Sequence, residues 1–251
     1  ASGNRFCSLA FSHLRRPGRP PLRVRPDGDA WVIDGVAPWM TGWGEADEVL
    51  LAGILPDGGS AWVLAPLVEG EELRASPPVR LCAMNASATV SLECRGLRIG
   101  PERQVKTMTP DELAADTAGA NLFFTALSLG AARAAVELLR AGRADAAVTR
   151  AADALDREMA AAHAAVDRWD DPATPASRRG DVTAIRAWCI DLGTRAAHAA
   201  VTAGGGAANG LDHPAQRLFR EAMVYTLVAQ TRDLRVATLE RLIRPGDYAP
   251  E

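Results

Sequence analysis

Residues 37–44, Ala37-Pro38-Trp39-Met40-Thr41-Gly42-Trp43-Gly44, place an indole, a hydroxyl and glycine-freed backbone within a few positions of one another. A planar aromatic cofactor can pack on such an indole while Thr41 and nearby backbone N–H groups bond its polar edge. The same residues suit a tryptophan-rich strand end packed into a core, so the segment by itself leaves both readings open. A second candidate is Phe11-Ser12-His13-Leu14-Arg15-Arg16-Pro17-Gly18. Arg15 and Arg16 have the chemistry to hold phosphate, and His13 that of a proton donor or substrate contact; simple loop exposure is the alternative. His163 and His198 sit in alanine-rich stretches that favour a structural role, and His213 directly precedes Pro214.

Composition excludes several classes of function. Lys+Arg 28 against Asp+Glu 31 gives a net charge of -3, without the basic footprint of a nucleic-acid binder. Lys106 is the only lysine. Cys7, Cys82, Cys94 and Cys189 form no C-x-x-C pair and have no histidine at ligand spacing, so neither zinc nor a disulfide framework is expected. No stretch reaches the roughly 18 uncharged apolar residues of a membrane span, and the first residues lack signal-peptide character. A reduced, cytoplasmic protein is expected. There is no nucleophile elbow, Walker loop or Rossmann fingerprint.

The elements that must position these residues change character along the chain. Up to about residue 105 the apolar residues come in short runs: Leu22-Arg23-Val24-Arg25, Ala30-Trp31-Val32-Ile33, Val49-Leu50-Leu51-Ala52 and Ala61-Trp62-Val63-Leu64. The turn sequences Pro26-Asp27-Gly28-Asp29 and Pro56-Asp57-Gly58-Gly59 join them into two antiparallel hairpins. Ala88 to Ile99 adds further strand texture, making at least five strands. From Thr109-Pro110-Asp111-Glu112, a capping box with proline in the first turn, the chain turns helical. Helices are expected over 110–140, with a break near Gly119, and over 144–169, 181–203 and 214–243. The fold class is therefore α+β, with an antiparallel β-sandwich or barrel-like domain over 1–107 and an antiparallel four-helix bundle over 108–251.

In this order the chain resembles the acyl-CoA dehydrogenase superfamily. That family's β-domain carries a strand like GWVLNG, then KxWITxG, then AD before another strand. The counterparts here are Ala30-Trp31-Val32-Ile33-Asp34-Gly35, Pro38-Trp39-Met40-Thr41-Gly42 and Ala46-Asp47-Glu48-Val49. Pro214-Ala215-Gln216-Arg217-Leu218-Phe219-Arg220-Glu221-Ala222 resembles the family's P-x-x-R-x-x-R-D-A helix start, and Gly204-Gly205-Gly206 falls where the family has its GGxGY loop. The resemblance implies FAD, with Trp39, Met40 and Thr41 at the flavin ring. Gly205 and Gly206 would lie near the cofactor of a neighbouring subunit, where glycines let backbone approach a phosphate or ring edge. It also implies a homo-oligomer, dimer or tetramer, built through the helical bundle.

The chain departs from the family where the chemistry lies. The glutamate of the YEGTSE segment falls on Ala229, and the alternative base position, in the first helix of the bundle, falls on Ala120. Asp116, Glu221 and Asp233 lie nearby in sequence. The diphosphate-holding RxxFG segment has no counterpart between Arg140 and Arg157, and the TEP-x-x-GSD loop is replaced by the His13 segment. The family's helical N-terminal domain has no counterpart in these 251 residues. The expected activity is FAD-dependent oxidation at the CH–CH bond of an acyl-CoA or related substrate. The alternatives are a flavin-dependent monooxygenase of the same superfamily and a non-catalytic subunit paired with a complete paralogue.

Overall fold

The computed structural model describes residues 5–15, 18, 20–118, 122–142, 145–170 and 179–243. The chain forms two compact units, Ala1–Gly119 and Ala120–Glu251. The first contains β1 (Cys7–Ala10), β2 (Leu22–Asp27), β3 (Ala30–Met40), β4 (Glu48–Ile54), β5 (Ser60–Pro66), β6 (Leu73–Ala75), β7 (Val90–Ile99), β8 (Gln104–Met108) and helix α1 (Pro110–Ala118).

Both expected hairpins are present. Asp27 pairs with Ala30 across a two-residue turn in which Gly28 takes φ +64, the positive φ that such turns demand. Ile54 pairs with Ser60, and the intervening turn is closed by Leu55 N–H donating to the Gly59 carbonyl at 2.9 Å. The sheet runs β6-β7-β3-β2-β4-β5-β8, with β1 added on β4. It is mixed rather than antiparallel throughout, because β1 and β2 share the free edge of β4 and both run parallel to it. Three strands were not legible in the sequence. β1 and β6 are too short to show a period, and β8 is largely exposed and carries Gln104, Lys106 and Thr107. On β8 the Lys106 ammonium lies 4.7 Å from the centre of the Trp62 ring. Inward residues of the hairpins, including Leu22, Val24, Ile33, Val49, Leu51 and Val63, make the core with Leu92 and Ile99 of β7. The capping box of α1 forms as expected: Thr109 N–H donates to Glu112 Oε2 at 2.8 Å, and Glu112 N–H returns a bond to Thr109 Oγ1.

The second unit contains α2 (Thr125–Ala141), α3 (Ala146–Asp170), α4 (Arg179–Gly204), α5 (Pro214–Leu227) and α6 (Arg232–Ile243). α4 packs against each of the other four, so its Ile185-to-Gly193 stretch is buried all round rather than on one face. Gly193 is required there, since a Cβ would lie 2.9 Å from the Ser128 carbonyl oxygen of α2. Leu129, Val136, Leu155, Met159, Trp188, Leu192 and Leu218 fill the bundle core. No helix among the described residues is long and apolar enough to cross a membrane.

The continuous helix expected over 214–243 is divided. α5 ends at Leu227, Ala229 takes φ +47, and Thr231 caps α6 by accepting from Leu234 N–H at 3.2 Å. The break has no glycine or proline to announce it. A buried guanidinium holds it instead: Arg186 of α4 donates to the carbonyls of Val228, at 3.3 Å, and Ala229, at 3.5 Å. A continuous helix would spend those carbonyls on its own ladder.

Candidate functional site

In the first unit the site begins with a defect in a ladder. Ala37 pairs with Leu92 but Met40 pairs with Val90, so three steps along β3 oppose two along β7. The extra residue falls at Pro38-Trp39, where proline has no N–H to give the ladder. Strict alternation from buried Ala37 would turn Trp39 inward and Met40 outward. The bulge reverses this: Met40 is fully buried and Trp39 is 41% exposed. Of the three ring-side residues expected here, Trp39 and Thr41 are therefore on the surface and Met40 is in the core.

The chain then turns at Gly42, φ +77, where a side chain would meet the Phe6 ring at 3.2 Å. The amides of Gly42 and Trp43 donate to the carbonyls of Ser87 and Ala88, at 2.6 and 3.2 Å. Those two donors, expected from the sequence to be available to a cofactor, are therefore spent on the protein. The Thr41 carbonyl accepts from Ser8 Oγ, whereas the Thr41 hydroxyl is exposed and has no partner among the described residues. The turn that receives these bonds, Asn85–Ser87, is flanked by two left-handed non-glycine residues, Met84 at φ +63 and Ala88 at φ +45. Such conformations are kept where the surroundings over-determine them.

His13 is placed differently from a loop contact. It lies in a short 3-10 turn, Ser12–Arg15, is only 2% exposed, and brings Nε2 within 2.7 Å of the Ala52 carbonyl oxygen of β4. The Arg15 side chain and Arg16 lie outside the described residues.

In the second unit α4 runs to Gly204 and passes into a 3-10 turn, Gly205–Asn209, with Gly205 at φ +57 and both Gly205 and Gly206 exposed. Gly204 lines a cleft of about 630 Å3 together with His213, Leu139, Gly142, Asp145 and Val148, among others. The glycine loop and the stretch lacking RxxFG thus border one cleft. His213 caps α5: its Nδ1 accepts from Ala215 N–H at 3.2 Å, a role hinted at only by the following Pro214. Asp145 caps α3, accepting from Ala147 N–H at 2.6 Å. Among the described lining residues there is a carboxylate and no lysine or arginine. Nearby Arg140 is engaged by Asp156 and Asp153, whose carboxylates raise its pKa further. An exposed indole beside a free hydroxyl fits a flat, polar-edged ring such as flavin. Among its described lining residues the cleft offers no lysine or arginine to a diphosphate.

At the α5–α6 elbow Ala229, where the resemblance puts the glutamate, presents a methyl group and a carbonyl directed to Arg186. Ala120 and the Asp116 side chain lie outside the described residues, Glu221 pairs with Arg217 at 3.8 Å, and Asp233 is exposed at the start of α6. A charged cluster further along α4 was missed by the sequence reading. Glu158 of α3 accepts from Arg195 at 2.5 and 3.0 Å and from the Trp188 indole at 2.7 Å. Asp191 of α4 accepts from Arg195 at 2.9 Å and from Arg241 of α6 at 3.2 Å. Two carboxylates and two guanidiniums balance. The one available signal was polar residues on a helix whose other positions are apolar. Burial pushes the neighbouring Cys189 thiol up to about 12, with Arg241 pulling the other way.

No family model matches the sequence, and no curated protein matches it. The fold, by contrast, is that of the acyl-CoA dehydrogenases. Butyryl-CoA dehydrogenase from Megasphaera elsdenii superposes with a TM-score of 0.76 at 16% identity, over 96% of this chain and 69% of that one. Glutaryl-CoA dehydrogenase from Mycobacterium smegmatis, solved with FADH2, gives 0.76 at 17%, over 99% and 68%. The flavoprotein nitroalkane oxidase gives 0.75 at 16%, over 97% and 69%.

Proposed function

We propose that the protein is a flavin-dependent oxidoreductase of the acyl-CoA dehydrogenase type. The observation that carries this is the bulge at Pro38-Trp39, which turns the indole outward beside a free Thr41 hydroxyl in a fold shared with acyl-CoA dehydrogenases. A bound flavin would supply a two-electron acceptor. The chain's own contribution is to stack Trp39 on the ring and donate from Thr41 to its polar edge. FAD is the expected form, although the described residues lining the cleft beside Gly204 include no lysine or arginine for its diphosphate. A homo-oligomer in the cytoplasm completes the reading, with a neighbouring copy facing the Gly205-Gly206 loop.

Oxidation of an acyl-CoA at its CH–CH bond needs a carboxylate to take the α-proton while hydride leaves the β-carbon. Ala229 has none, and this favours the second reading, a monooxygenase that uses reduced flavin and oxygen, or a subunit that supplies only the fold. The test is the absorbance spectrum of the purified protein, followed by anaerobic addition of acyl-CoA and, separately, of reduced flavin with oxygen. A stoichiometric flavin band is expected. Bleaching by acyl-CoA supports dehydrogenation, and oxygen uptake supports the monooxygenase. A colourless protein that takes up neither FAD nor FMN overturns both.

A further inference from the structure

Backbone holds most of the turn that carries Thr41. The amides of Gly42 and Trp43 donate to the Ser87 and Ala88 carbonyls, and the Gly42 carbonyl accepts from the amides of Glu45, at 3.1 Å, and Ala46, at 2.9 Å. The Thr41 carbonyl is the exception, because it accepts from a side chain, the hydroxyl of Ser8 on β1. Ser8 is 5% exposed and faces inward between the exposed Cys7 and Leu9, where a hydroxyl needs a partner. The strand that delivers it is itself fixed. Ser8 pairs with Val49 of β4, Phe6 N–H donates to Asp47 Oδ2 at 2.8 Å, and the Phe6 carbonyl accepts from the Asp47 and Glu48 amides at 2.9 and 3.3 Å.

The Thr41 carbonyl and the Gly42 amide belong to one planar peptide unit. With the first bound to Ser8 and the second to Ser87, that plane is fixed at both its polar atoms. On the other side of Thr41, Met40 is fully buried. The backbone is thus held on either side of the Thr41 Cα, and β-branching leaves the side chain few χ1 choices, so its exposed hydroxyl keeps one direction. Without Ser8 the carbonyl can take water instead, and Gly42 gives the peptide unit freedom to swing.

We propose that Ser8 is a positioning residue for flavin: by binding the Thr41 carbonyl it aims the Thr41 hydroxyl at the polar edge of the ring. This rests on the reading of Trp39 and Thr41 as flavin contacts. Ser8 does not itself touch the ring in this assignment, and its whole effect passes through Thr41.

The test is a double-mutant cycle on the full chain, read as the dissociation constants of FMN and FAD from flavin-fluorescence titration, with circular dichroism confirming that each variant is folded. Ser8→Ala should weaken flavin binding roughly fivefold, the worth of one hydrogen bond, and Thr41→Val at least as much. The double variant should bind no more weakly than Thr41→Val alone, since the hydroxyl through which Ser8 acts is already gone. In the flavin-free protein the Gly42 amide should exchange faster in Ser8→Ala than in wild type, and at the wild-type rate in Thr41→Val. Losses that multiply in the double variant, flavin binding unchanged in either single variant, or Gly42 exchange unchanged in Ser8→Ala overturns the assignment of Ser8 and leaves a flavin-binding wild type a flavoprotein. A wild-type chain that takes up neither flavin overturns the functional reading and this assignment with it.

Discussion

The turn after β3 and the elbow after α5 are both breaks in regular structure, and they are held in opposite ways. At the first, the backbone does the holding: a bulge, a positive φ at Gly42 and amides tied to Ser87 and Ala88 leave Trp39 and the Thr41 hydroxyl outside. At the second, buried side chains do it. Arg186 grips two carbonyls, and further along α4 the cluster of Glu158, Asp191, Arg195 and Arg241 ties α3, α4 and α6 together. A side chain presented by backbone can change with little loss of stability. One that supports the backbone cannot.

The sharpest way to break this contrast is Asp191→Ala. It removes the carboxylate that Arg195 and the 14%-exposed Arg241 share, and removing one partner of a buried pair costs about 3–5 kcal/mol. The expected outcome is a lower urea midpoint for the helical signal; a midpoint unchanged from wild type would show the cluster to be ornamental. Arg186→Met comes next. Depriving the Val228 and Ala229 carbonyls of their charged donor should cost about 1–3 kcal/mol. Amide exchange at residues 228–231 should accelerate more than in the core of α4. Trp39→Ala is the smallest in stability, on the order of 1 kcal/mol, because the side chain is only partly covered. If the functional reading holds, it is nonetheless the variant that weakens flavin binding, measured by fluorescence titration. A large drop in melting temperature with flavin affinity intact would reverse the assignment of roles.

The same contrast explains what could be read beforehand. Pro26-Asp27-Gly28-Asp29 and Thr109-Pro110-Asp111-Glu112 encode their turn and cap in local chemistry, and both form as read. Trp39 and Thr41 were visible as residue types, but their exposure depends on a register with β7 some fifty residues away. The elbow was hidden because Leu227-Val228-Ala229-Gln230-Thr231 is acceptable helix sequence, and only Arg186, from another helix, decides otherwise. His13 was misplaced for a related reason. Its burial follows from the Ala52 carbonyl of β4, not from its arginine neighbours.

The lone lysine on β8 has a practical consequence. Lys106 sits over the Trp62 ring on the strand that ends the sheet, and every other basic residue of the chain is an arginine. The chain therefore offers a single side-chain amine to acylating reagents. Coupling through it would tether each molecule by the same edge and report, through the indole's fluorescence, whether that edge had been reached.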